Sequence, residues 1–438
     1  MNRVFFGLLA IAVALSACGG CGEPHNGSDI GADATRPTPD MAPNDGGADA
    51  ATPADAATPD ADVTAGPVVA IDLASYMGEA GAPNTSSIQR ADSEIPFSGP
   101  VVQGRPGDWI IENDVARFLI EDDNRAMSPC PWGGTVVDAA LTANGSDEDI
   151  LGEICMLVNG GLSLRPDRVE IVADGADGRA AVLAVSGGFE INDFLNLRAM
   201  VDDFVEGLGD RIHVDMSRIL PVRLTVYYVL RPGETNLHVL TAMRNDSDEQ
   251  VDMLPIVMVA SGGDGEYYNP LNSTGGFGVG SGSVGVSFED LPFIAFAGES
   301  ASYAFAPRPD PDLPAQVLPN AGAYVVISGV AAGLLGAGSS SMLSVLTLTE
   351  EQIKTHEQVL HLPPRGQTVL DHRLFVGDGS LATMVDPIYE ANEVPTGLLR
   401  GVVQDTGGDP VPGARVSAVR RGLDTMNQVR ADENGAFE

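Results

Sequence analysis

Apolar and polar residues alternate with a period of two along much of this 438-residue chain. That is the pattern of strands that bury one face against a core. Residues 109–112 and 115–121 flank Asn113-Asp114, a two-residue hairpin signal. Residues 168–173 and 179–185 flank an Asp-Gly-Ala-Asp-Gly turn, and residues 222–230 and 236–244 flank Arg-Pro-Gly-Glu-Thr. In the last of these runs Leu237, Val239, Thr241 and Met243 fall on one face, and His238, Leu240, Ala242 and Arg244 on the other. This order predicts a strand with one well-buried face. Further strands are expected at 253–260, 324–330, 342–348 and 367–376. Helix is scarce: Leu381, Met384, Val385, Ile388 and Tyr389 repeat at helical spacing, with Pro387 placed to distort the turn. The reading is an all-β chain. Residues 67–395 form a large two-sheet antiparallel sandwich.

The first 66 residues follow a different pattern. Arg3 gives a basic start, an apolar run of about a dozen residues follows, and small residues lead to Cys18. The run is too short for a membrane span, which needs about 20 apolar residues, and reads as a secretory signal over residues 1–17. Leu15-Ser16-Ala17-Cys18 resembles a bacterial lipobox, which makes Cys18 the expected lipidation site and the membrane anchor. Gly19 rather than Asp after it implies a cell-envelope protein of the outer membrane, facing the periplasm or the surface. The rest of residues 18–66 is built from Ala, Asp, Pro, Thr and Gly, which predicts a disordered, self-repelling tether. With 61 acidic against 24 basic side chains and a net charge of −37, attraction to nucleic acid is excluded. Cys130 and Cys155 lie in the folded part. In an oxidising compartment they either pair or stay as two buried thiols.

At the other end, residues 396–438 read as a strand, a Gly/Pro turn, a second strand from Ala414 and a third opening at Gly435. An Ig-sized sandwich needs roughly 100 residues. This part is therefore expected to be an incomplete small β-sandwich of Ig or prealbumin type, and the chain a fragment. Residues 225–249, with the turn LRPGET, resemble the hairpin of galactose-mutarotase-type supersandwich domains. Residues 104–123, 132–139 and 371–390 resemble exported bacterial lipoproteins that carry a PHP-type metallohydrolase domain. Gly401, Gly408, Pro410, Gly413, Ala414 and Val416 resemble the carboxypeptidase-regulatory-like module. The resemblance implies a lipid-anchored scaffold that presents or regulates a hydrolase domain beyond Glu438.

Chemistry within the chain itself is sparse. Residues 1–438 carry no catalytic constellation, and neither a metal nor a cofactor is expected in them. His356, His361 and His372 are the only sequence-local histidines, and none stands in an H-x-H arrangement. A mutarotase-like reaction needs a general acid and base, for which His213 or His238 with Glu266 is the best available pair. Residues 265–272, GEYYNPLN, put Tyr267, Tyr268 and Asn269 in one stretch, and Trp132 precedes Gly133-Gly134. Rings and amides of this kind suit carbohydrate, stacking on sugar faces and bonding hydroxyls. Three functions emerge in order: a lipid-anchored scaffold, a self-contained carbohydrate-binding or adhesive lipoprotein, and a mutarotase-like sugar enzyme.

Overall fold

The computed structural model describes residues 67–81, 85–122, 130–142, 148–192, 218–261, 265–268, 293–307, 323–328, 349–354, 359–391, 393–419 and 425–438. The expected signal, lipidation site Cys18 and tether lie outside these residues, as does the strand expected at 342–348.

The alternating runs fold as strands that pair mostly with their neighbours in sequence. β1 (Ser86–Arg90), β2 (Trp109–Asn113), β3 (Ala116–Ile120), β4 (Val136–Leu141), β5 (Leu151–Val158), β6 (Leu162–Asp174), β7 (Ala181–Ile191), β8 (Val222–Leu230) and β9 (Asn236–Asn245) follow one another in chain order. Beyond β9 come β17 (Gln367–Gly377), β14 (Ser302–Pro307), β13 (Ile294–Ala297) and β12 (Glu266–Tyr268). These ladders are antiparallel. β11 (Pro255–Ser261) joins the sheet through β5 and pairs in parallel with β15 (Ala323–Ser328). A short separate ladder pairs β10 (Val251–Met253) with β16 (Leu360–Leu362). The two layers of the sandwich thus belong to one continuous sheet. It folds over so that β2 lies against β7 and β8, and β17 against β4.

Between the layers lies a single large apolar core, to which Ile111, Phe118, Leu157, Leu183, Leu224, Met243 and Leu374 all belong. Among the described residues, the outer faces are covered at three places. Residues 68–77 lie over Val182, Tyr227, Val229, Leu240 and Ala242. Val69 N–H donates to Thr225 Oγ1 at 3.0 Å, and the Tyr227 hydroxyl donates back to Val69 O at 2.8 Å. The loop around Ile95, Phe97 and Val102 covers Ile110, Leu119, Val137 and Ala140. The third cover is helical. Two helices are present among the described residues, α1 (Glu350–Ile353) and α2 (Ala382–Ala391). α2 presses Met384, Val385 and Ile388 onto Phe293, Ala304 and Phe375.

Two local expectations shift. The β2–β3 register pairs Glu112 with Arg117, which leaves the turn one residue later than the Asn113-Asp114 signal. Asn113 instead caps it, its Oδ1 accepting from Val115 N–H at 2.9 Å and Ala116 N–H at 2.8 Å. β9 buries both faces, because residues 68–77 cover the side that carries Leu240 and Ala242.

At the C-terminus, β18 (Gly401–Val402) pairs with β21 (Ala436–Phe437), and β19 (Arg415–Val419) with β20 (Thr425–Arg430). The turn and strand pattern of the sequence did not signal β20. These strands dock beside α2 and β12. The Tyr268 hydroxyl donates to Thr425 O at 2.7 Å, and Arg415 meets Glu266 at 2.8 Å. Asn427 Nδ2 donates to Asp386 Oδ1 at 2.8 Å.

Candidate functional site

Strand alternation puts Glu153 and Cys155 on the same side of β5. The segment before β4 brings Cys130 to them, and Cys130 and Cys155 are joined as a disulfide. Glu153 is fully buried; its carboxylate accepts from Cys130 N–H at 3.2 Å and from the Thr135 hydroxyl at 2.9 Å. Beside this group lies a cavity of about 50 Å³, whose wall includes the two sulfurs' residues, Thr135, Ser163, Tyr228 and His372. That volume takes a few water molecules. The Tyr228 hydroxyl is anchored on Gly134 O at 2.6 Å. Burial, reinforced by the Glu153 charge, pushes its pKa well above the usual phenol range. His372, from β17, stacks on the Phe305 ring with centroids 5.0 Å apart.

A second polar group is sealed under the loop that covers β2–β4. Asp138 accepts from Gln103 N–H at 2.8 Å and Gly104 N–H at 2.7 Å. Asp149 Oδ1 accepts from Ala139 N–H at 2.9 Å, Leu151 N–H at 3.2 Å and the Tyr303 hydroxyl at 2.9 Å. Both carboxyls are fully buried. Burial, then the neighbouring Asp138 charge, pushes the Asp149 carboxyl up to about 8. The chemistry of this pair is that of a held proton. With no solvent access, its effect is to pin the loop: Asp149 N–H also donates to Ser98 O at 2.7 Å. Gly99 fits there at φ 132° because a Cβ would lie 2.2 Å from Asp149 O.

The residues singled out in the sequence are scattered rather than gathered. His238 does not face Glu266. It is buried on the outer side of β9 with Nε2 3.2 Å from Glu234 Oε2, while Glu266 pairs with Arg415. Burial lowers the His238 pKa against the opposing pull of Glu234. Tyr267 and Tyr268 are not presented in a groove, since both rings pack inward: Tyr267 against Phe296 and Tyr268 against Phe293. As neighbours in the short strand β12 they face opposite sides of it, Tyr267 into the core between the layers and Tyr268 into the cluster beneath α2. Trp132 is half-buried with the Arg165 guanidinium 5.3 Å over its ring. His361 Nδ1 pairs with Asp252 at 2.7 Å. Asn269, His213 and His356 lie outside the described residues. Sequence spacing did not single out Glu153, Asp138 or Asp149. Their signal was a lone carboxylate inside or beside an apolar run, LGEICMLV and VVDAAL.

Searches against protein families and against curated proteins find no match. Solved structures give distant likenesses. A TPR-domain-containing protein from Parabacteroides distasonis is similar over 68% of this chain at 11% identity, with a TM-score of 0.35. The matched region spans 56% of that protein's length. Galactose 1-epimerase from Lactobacillus acidophilus is similar over 67% of this chain and 99% of its own, at 9% identity and a TM-score of 0.26. The α-galactosidase from Lactobacillus brevis is similar over 64% of this chain and 41% of its own, at 10% identity and a TM-score of 0.29. At scores this low, none of them carries an argument for this chain.

Proposed function

We propose that this chain is a lipid-anchored, exported β-scaffold that presents or regulates a metallohydrolase domain further along the same protein. The observation that supports a scaffold is how the interior polar groups are used. Asp138, Asp149 and Glu153 each bind backbone N–H groups of a neighbouring loop or strand. Such groups hold loops in place. An acid–base pair for sugar chemistry would instead stand open to a cleft, and His238 and Glu266 do not meet. In this reading Cys18 carries the lipid, residues 18–66 lift the sandwich from the membrane, and the docked C-terminal strands set the orientation of the hydrolase domain.

The test is made on the native protein in its own cell envelope. Labelled palmitate is expected to enter the protein, and Cys18→Ser to abolish the label and release the chain to the soluble fraction. The mass of the mature protein is expected to exceed that of these residues. Absence of label refutes the anchor. A mature mass that ends with Glu438, or acceleration of galactose anomerisation by the purified chain, overturns the scaffold reading in favour of a self-contained sugar protein.

A further inference from the structure

The disulfide lies against a group that a cross-link alone does not call for. Sulfur atoms of Cys130 and Cys155 and a carboxylate oxygen of Glu153 all lie within 4.8 Å of one another, and all three residues are buried. We infer that the reduced form of this group is a binding site for a borderline-soft divalent cation such as zinc, held by two thiolates and one carboxylate. The oxidised disulfide is its closed state.

The chemistry fits the donor set. Thiolate and carboxylate are both ordinary zinc ligands, at about 2.3 Å and 2.0–2.2 Å. Two sulfurs on one tetrahedral zinc stand roughly 3.8 Å apart, so the pair must spread on leaving the disulfide. The adjoining cavity of about 50 Å³, walled in part by both cysteines, gives room for that movement. The protein supplies three donors, and water is left to complete a four-ligand shell. Cys130 N–H and the Thr135 hydroxyl already orient the carboxylate, as outer-shell donors do at built metal sites. Glu153 and Cys155 sit on β5, which is paired with β11 along seven residues, so two of the ligands ride on a rigid element.

The balance is simple. A dithiol reductant gives two hydrogens to the disulfide and leaves as its own disulfide, producing the Cys130 and Cys155 thiols. Binding of the divalent ion then displaces two protons, one from each thiol, to form two metal–sulfur bonds. Without the ion, the Glu153 charge disfavours thiolates beside it and keeps the thiols protonated. With it, that charge becomes an asset. Metal binding is therefore expected to strengthen as pH rises.

Cobalt(II) is the probe, added to the full chain carrying Cys18→Ser and Cys21→Ser so that two cysteines remain. After reduction by a dithiol and its removal under anaerobic conditions, one equivalent of cobalt is expected to give a sulfur-to-metal charge-transfer band. The same protein left oxidised should give none, and Cys155→Ser should lose it. Glu153→Gln is expected to keep the band but weaken apparent affinity tenfold or more. Absence of the band from reduced protein with two titratable thiols and an intact β circular-dichroism spectrum overturns the site. So does equal affinity in Glu153→Gln, or loss of the fold on reduction, because the ligands would then not converge.

Discussion

Asp149 takes a proton that an exposed aspartate would give up. Its carboxyl has no access to solvent, and Asp138 stands close enough to oppose a second charge. With a folded pKa of about 8 against 3.8, the folded chain binds one more proton than the unfolded chain through the interval between them. The contribution is full below about pH 4 and is lost as pH rises to about 8. Stability should therefore fall across that window, by at most about 1.4 kcal/mol per pH unit from this group. Asp149→Asn keeps the Oδ1 acceptor and carries no charge at any pH. Its urea midpoint, followed from about pH 5 to pH 8, is expected to lack that slope. An unchanged slope would assign the pH dependence to other groups. That these carboxylates matter was visible only as oddities in apolar strands; which loop they grip was not, because Gln103, Gly104 and Ser98 are far from them along the chain.

At the scale of elements, the strands were legible and their covers were not. β8 and β17 fall within a residue of where alternation placed them, since period two is a local property. The helix α2 forms with Pro387 inside it. Its apolar face, Met384, Val385 and Ile388, packs on the sheet and holds the turns together. The C-terminal strands illustrate docking. Tyr268, read from the sequence as a ligand-facing ring, is a core ring whose hydroxyl reaches the carbonyls of Thr425 and Met426. Tyr268→Phe removes that donor at a cost of about 1 kcal/mol. Amide exchange over residues 425–430 is expected to quicken about fivefold, while β7 and β8 keep their protection. Equal exchange in both proteins would mean that the hydroxyl does not hold the hairpin.

For the whole molecule, the cross-link between Cys130 and Cys155 spans 25 residues of sequence and ties the segment before β4 to the centre of β5. Closing a loop of that length stabilises a fold by about 3.5 kcal/mol, chiefly by restricting the unfolded chain. Cys130→Ala with Cys155→Ala is expected to lower the urea midpoint accordingly and leave the β circular-dichroism spectrum in place. Loss of the spectrum would mean that the layers depend on the cross-link to close.

Local pattern was enough to determine the all-β character, the main hairpins and the scarcity of helix, because alternation and turn residues act within a few positions of one another. The acidic balance is a property of composition, and the signal-like start one of local residue order. Only the tertiary structure decided that the two layers are one folded-over sheet and that His238 belongs to Glu234. It also placed the tyrosines inward and Glu153 beside two sulfurs. Each of these depends on strands meeting across long stretches of chain, where register and layer contact select the partners and sequence spacing carries no record of them.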